Sequence, residues 1–420
     1  MPGDSTSLFR RILALPRPAW VICIGMFVNK FGNFLNVFLM LYLTAEGYST
    51  FLAGLALGAI GLGSFFGNAV GGTLADKVGR RWAIVLSMFG TAGFTLIVPV
   101  LPDIYSTIAV CLVIGFFGQL YRPAGGAILV DTVDEGERIA AFGLLRLAIN
   151  LGMSVGPLVG GILSNVSYTY LFVGNAVTSF LFGLLVLVLL PETLPQPHED
   201  GEDGAAAKVP DRGYRDVFAD PAMRLYILSM IAATYVYTQT TATLPLQVRD
   251  SGLSATFYGL LLGINAFVIV LVELPLVKYT ESRDFRRVIA LGLALLAVGV
   301  GASGLAADKA MLIVTVLLWT FGEMIYTPVA TSLPGLFSPP HLRGRYQATE
   351  GIAITVAQTG GPALGGFLYG HSAGLHWGSC VVLALVGAGL ILAIKQRGNS
   401  DTAQAQPALQ KVAEADTGAA

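Results

Sequence analysis

Lys30, Arg122, Arg146 and Glu323 each interrupt a run of about twenty apolar residues. An ionisable side chain in such a run is costly to bury in hydrocarbon and marks a path for a proton, an ion or a polar solute. Glu323 is the acid farthest from either end of its run, and a carboxyl there can take up and release a proton as its surroundings alternate between wet and dry. Lys30 is about as deep. Arg122 and Arg146 lie nearer one end, where pairing with a carboxylate or backbone competes with contact to a solute; Glu273 and Glu350, nearer the surface, suit equally a loop-anchoring partner of Arg or Lys and a functional group. Beside Lys30, the amides Asn29, Asn33 and Asn36 fall on one broad face of a helix that turns about 100° per residue. Adding 205 to these positions gives Thr234, Tyr235, Thr238 and Thr241, with Tyr237 and Gln239 alongside. Two polar stripes in matching positions predict a shared aqueous cavity lined by two related helices.

The elements that must hold these groups are membrane spans. With 54% hydrophobic residues and 12% charged, the chain has more apolar surface than a soluble core could cover. Hydrophobic runs predict spans at about 19–43, 51–74, 83–101, 107–130, 139–163 and 169–190, then 222–248, 255–276, 288–306, 310–335, 345–369 and 376–395. This divides the chain into a cytoplasmic N-terminal segment 1–18, a six-helix bundle 19–190, a polar linker 191–221, a second bundle 222–395 and a tail 396–420. The linker's acidic middle and the Ala/Gln/Thr-rich tail are expected to be disordered. The run after Arg10, Arg11 and Arg17 is too long for a cleaved signal and suits a first span. With the N-terminus cytoplasmic, 20 of the 25 Lys and Arg fall in cytoplasmic segments and only Arg249 and Lys309 in outer loops, which orients the chain with both termini inside a cell (inner or plasma) membrane.

Two motifs sit on this frame. Gly72-Thr-Leu-Ala-Asp76-Lys77-Val-Gly79-Arg80-Arg81 is a tight turn with one acid and three bases between spans two and three. Gly152-Met-Ser-Val-Gly156-Pro157-Leu-Val-Gly160-Gly161 lies within span five and returns, degraded, as Gly361-Pro362-Ala-Leu-Gly365-Gly366, again 205 residues on. Glycines four apart give a helix a bare face for close packing, and the proline bends it.

The first motif resembles the signature loop of the major facilitator superfamily, and the offset places Glu281 and Arg286 on Asp76 and Arg81. The second is similar to the antiporter motif of exporting drug/proton antiporters in that superfamily. Leu190-Pro191-Glu192-Thr193 and the series Tyr121, Arg122, Pro123, Asp131, Glu137, Arg138, Arg146 and Asn150 resemble its bacterial multidrug-efflux branch. The branch's span-four pattern would place Arg at position 111, where this chain has Cys111.

The resemblance implies an all-α fold of twelve transmembrane helices in two six-helix pseudo-repeats. It also implies a cytoplasmic gate at Gly72, Asp76, Gly79, Arg80 and Arg81, with Asp76 facing the start of span eleven, and proton-coupled export of small organic or drug-like molecules by alternating access. A substrate and proton path through Asn29, Lys30, Asn33, Asn36, Arg122, Arg146, Asn150, Tyr235, Thr238, Gln239 and Glu323 is expected. Three intramembrane bases against one deep acid also suit an uptake or facilitated carrier for a small organic anion. An enzyme is not expected: His198, His341, His371 and His376 lie in loops or at a span end, and Cys23, Cys111 and Cys380 form no cluster with them. The expected partners are the lipid bilayer, a small-molecule substrate and protons. No cofactor, metal or nucleic acid is expected, and a monomer is the expected working unit.

Overall fold

A computed structural model describes residues 12–192, 214–280, 283–306, 308–339 and 342–395. Glu281, His198, His341, the middle of the linker and the tail lie outside the described residues. Helices account for every regular element described: α1 (Arg17–Phe31), α2 (Phe34–Ala45), α3 (Thr50–Val78), α4 (Arg80–Ile97), α5 (Ile104–Thr132), α6 (Arg138–Val166), α7 (Thr169–Leu189), α8 (Tyr214–Ala219), α9 (Pro221–Ala242), α10 (Leu244–Asp250), α11 (Ala255–Thr280), α12 (Phe285–Ala302), α13 (Lys309–Phe337), α14 (Arg343–His371) and α15 (Ala373–Leu392), with three short 3-10 turns. α1 and α2 together make span one, and α9 and α10 span seven; each remaining long helix is one span, giving twelve.

Ten of the spans are long and apolar enough to cross a membrane on composition alone. The other two, at α9 and α14, fall short because they carry Tyr, Thr and Gln residues, or Gly, Thr and Gln residues, in place of aliphatic ones. Their length and packing still make them spans. Span one breaks at Gly32–Asn33 and restarts at Phe34. The Thr178 side chain of α7 fills the space that a side chain at Gly32 would need, so the break packs tightly against α7.

Within the first half, α3 lies against α5 through Gly63, Gly67 and Gly71, whose missing side chains admit the α5 backbone. Between halves the main contacts are α3 on α14 and α6 on α11, with smaller ones of α2 on α9 and α10. The main ones repeat residue for residue. A Cβ on Gly54 would strike the Pro362 carbonyl, one on Gly58 that of Thr359, and one on Gly366 that of Thr50. Adding or subtracting 205 turns these pairs into Gly259 with Pro157, Gly263 with Ser154, and Gly161 with Ala255, each again a glycine against a carbonyl oxygen. Hydroxyls fasten the same seams: Thr50 Oγ1 donates to Gly366 O (2.6 Å), Thr256 Oγ1 to Gly161 O (3.0 Å) and Ser154 Oγ to Gly263 O (3.1 Å). Because α3 and α11 begin at the end opposite the Gly72–Arg81 loop, the halves are pressed together toward that far end. There Arg249 Nη1 donates to Thr44 Oγ1 (2.8 Å), its own equivalent in the repeat.

Candidate transport cavity and gate

A central cavity is lined by Lys30 and Phe31 of α1, Asn33 at the break, Met153 and Pro157 of α6, Tyr237, Thr240 and Thr241 of α9, Leu262, Asn265 and Ala266 of α11, and Trp319 of α13. It lies between the halves; of the expected α9 stripe Tyr237 and Thr241 line it, joined by Thr240, whereas Tyr235, Thr238 and Gln239 do not. Tyr235 and Gln239 are buried and turn toward α14, where Gln239 Nε2 donates to Gly361 O (3.1 Å) and to Tyr235 O (2.9 Å). At about 100° per residue, two positions along from Tyr237 on either side is the opposite side of the helix. Thr238 is half-buried and spends its hydroxyl on Thr234 O (2.6 Å).

Glu323 is half-buried just behind this lining. Its Oε2 accepts from Asn265 Nδ2 (3.1 Å), and the Tyr237 hydroxyl is within its reach. The same Asn265 amide donates to Thr320 Oγ1 (3.0 Å), whose own proton goes to Val316 O, so both Asn265 protons are committed and the amide orientation is fixed. The rotation of α13 that aims Glu323 inward is set by Gly322, which rests against the Gly292 carbonyl of α12 (2.6 Å to a Cβ there). Trp319, one turn away, meets Tyr237 edge to face with ring centroids 6.1 Å apart. The carboxyl thus lies directly behind the cavity wall, hydrogen-bonded by neutral groups that line it.

Lys30, half-buried, has no hydrogen bond or ion pair from its ammonium among the described residues. Asn29 turns into its own half, its Nδ2 3.5 Å from Met88 Sδ. Asn36 and Asn150 are half-buried without side-chain bonds among the described residues, and Arg122 is exposed on α5 without an ion pair there. Arg146 pairs with Glu273 of α11, an ion pair that joins the two halves. Cys111 is fully buried in the α3–α5 packing.

The span-five run works on two sides at once. Gly152 and Gly156 admit the backbone of α1 around Phe27 and Phe31, Gly160 admits the rings of Phe34 and Phe38, and Gly161 with the Pro157 carbonyl meets α11. The helix thus touches one cavity-lining helix in each half. At the loop, Gly79 has φ +101, a conformation that suits glycine. A side chain there would also strike the Glu192 carboxylate, which accepts from the Arg81 backbone N–H (3.4 Å) at the start of α4, where a helix favours an anion. Arg80 pairs with Asp131 at the end of α5, and the Arg81 guanidinium binds Leu187 O. Gly72 is open but for Pro123. Asp76 is exposed with no ion pair among the described residues, so it does not meet α14 in this state. In the second half Arg286 binds Asp284 (Nη2 to Oδ2 2.7 Å) and Ile394 O (3.2 Å). The hydrogen bonds and charge of Arg286 hold the Asp284 carboxyl below its usual range.

Asn265 and Trp319 were not legible as cavity residues. Asn265 is the one amide in an aliphatic stretch of α11, which is a usable signal; a tryptophan in a span carries none.

A family model described as Major Facilitator Superfamily matches residues 22–251 and 242–414. The chain is 28% identical over 369 residues to the uncharacterised MFS-type transporter YttB of Bacillus subtilis (strain 168), covering 85% of this chain and 89% of that one. It is 24% identical over 355 residues to the multidrug resistance protein MdtH of Aeromonas salmonicida (strain A449), covering 84% and 87%. Among solved structures, the nucleoside transporter NupG superposes with a TM-score of 0.74 at 13% identity, over 90% of this chain and 98% of that one, a likeness of fold. With the twelve spans, the 205-residue repeat and the cavity between halves already in place, these matches make the chain a multi-pass membrane transporter that belongs to the major facilitator superfamily.

Proposed function

We propose that the chain exports small organic, drug-like molecules in exchange for protons, the two six-span halves rocking about the central cavity to expose it to each side in turn. The observation that carries this reading is Glu323: a carboxyl at mid-span, reachable from the cavity and held by Asn265 and Tyr237 without a fixed counter-charge. Such a group binds a proton when dry and releases it when a cation or water approaches. Lys30, on the opposite wall, is the cation that a rocking motion would bring nearer in one state than in the other.

The direction of transport rests on the span-five motif, whose glycines pack α6 against both halves, and on the likeness to a multidrug resistance protein. The orientation rests on the basic residues, which put the Gly72–Arg81 loop in the cytoplasm. On that orientation the described arrangement is closed toward the outside, and Asp76 is poised to close the cytoplasmic side by reaching the start of α14. The linker would join two bundles that move as units.

Lys30, lacking a counter-ion in the cavity, favours a second reading, an uptake or facilitated carrier for a small organic anion. Vesicles of both orientations separate the two. Proton-exchange export predicts substrate accumulation in everted vesicles on acidifying their lumen, abolished by an uncoupler. Accumulation in right-side-out vesicles, or mere equilibration in both orientations, unaffected by the uncoupler, supports the second reading instead.

A further inference from the structure

The ionisable side chains well inside the spans are sorted by half. Lys30, Arg122 and Arg146 lie on α1, α5 and α6; Glu273, Glu323 and Glu350 lie on α11, α13 and α14. Arg146 and Glu273 are spent on each other, and Glu350 accepts from the Tyr226 hydroxyl. Arg122 is exposed nearer the loop-bearing end. Lys30 lines the cavity from one half, and Glu323 lies just behind the wall of the other, bonded by the lining residue Asn265 and partly exposed, without an ion pair between them; Phe31, Tyr237 and Trp319 form the aromatic part of the wall.

Building on the proton-exchange reading above, we propose that the exported molecule is amphoteric: an aromatic body bearing an acidic group that seats on Lys30 and an amine that seats on Glu323. The two singly charged alternatives fail for different reasons. A cation alone must enter a low-dielectric cavity that already holds the Lys30 ammonium, and is repelled there. An anion alone, seated on Lys30, sets a negative charge beside Glu323, which then draws a proton in with the substrate. Coupling between two ligands is reciprocal, so that substrate and proton would favour each other and travel together, the opposite of exchange.

An amphoteric molecule meets both conditions. Its acid neutralises Lys30, and its ammonium and a proton compete for the same Glu323 carboxylate, so binding one expels the other. The rings of Phe31, Tyr237 and Trp319, which line the cavity, supply the apolar contact.

The test is counterflow in proteoliposomes at equal pH on both sides, using 4-(aminomethyl)benzoate, benzylamine and benzoate together with their three biphenyl homologues. Counterflow needs neither a proton gradient nor a direction, so it reads substrate class even if proton exchange fails; loss of gradient-driven export with this selectivity intact counts against the earlier reading alone. The expected result is exchange of an aminomethyl-carboxylate at least about tenfold faster than of either matched singly charged compound. Lys30→Gln is expected to raise benzylamine exchange while lowering that of the zwitterion, and Glu323→Gln to bring benzoate level with it. A singly charged compound carried as well as its zwitterion, exchange of none of the six, or variants that lower all compounds in equal proportion would overturn the proposal.

Discussion

Glu323 draws its character from three neighbours on three helices. Gly322 sets its direction, Asn265 bonds it across from α11, and Tyr237 stands over it from α9. Depth in an apolar run was enough to single out Glu323 and Lys30 from the sequence, because charge in hydrocarbon is conspicuous. Their surroundings were not legible, since which face of α9 meets the cavity depends on how that helix is rotated against α14, and Gln239 settles this by bonding Gly361. Asn265→Leu keeps the branched shape, at a somewhat larger volume, and removes both donors, leaving a half-buried carboxylate and Thr320 short of a partner. Gradient-driven transport is expected to fall about tenfold or more, the effect of losing a hydrogen bond to a charged group, with membrane insertion unchanged. An Asn265→Leu variant with the wild-type transport rate would show that Glu323 works without this support.

The spans were legible because their lengths are imposed by the bilayer, and the 205-residue offset was legible because both copies of the glycine run survived. The breaks at Gly32–Asn33 and Thr243 were not; the contact beside the first, Thr178, comes from a helix far along the chain. The offset also predicts the seams between halves, in which six glycines face six carbonyl oxygens in symmetry-related pairs. Gly259→Leu puts a branched side chain into the Pro157 carbonyl and should hold α11 away from α6, favouring the state open at the far end. Cysteines introduced at far-end cavity positions should then react with a membrane-impermeant thiol reagent about tenfold faster than in the parent background, with counterflow lost. Unchanged reactivity and unchanged counterflow together would mean that the seam is not part of the moving interface.

The whole molecule is two similar bundles that are pressed together at one end and carry opposite charge in their depths. The Arg146–Glu273 ion pair spans them toward the other end. Arg146→Glu and Glu273→Arg should each impair transport strongly, because each sets like charges against one another across the interface, whereas the double exchange should recover a substantial part of the loss. A double variant as impaired as the worse single one would place the two residues in separate roles. Asp76→Asn tests the other closing contact. It keeps shape and removes charge, and is expected to reduce transport severely with normal insertion, because the side bearing the Gly72–Arg81 loop could no longer close on the start of α14. Full activity would remove Asp76 from the gate.

Proton exchange through Glu323 is the central claim, and one comparison addresses it directly. Wild type and Glu323→Gln are reconstituted in proteoliposomes, and the same substrate is followed under a pH gradient and in exchange at equal pH. The account predicts that the variant loses gradient-driven accumulation while keeping measurable exchange at equal pH. Accumulation driven by the gradient at the wild-type rate in Glu323→Gln would contradict it and shift the weight to the anion-carrier reading.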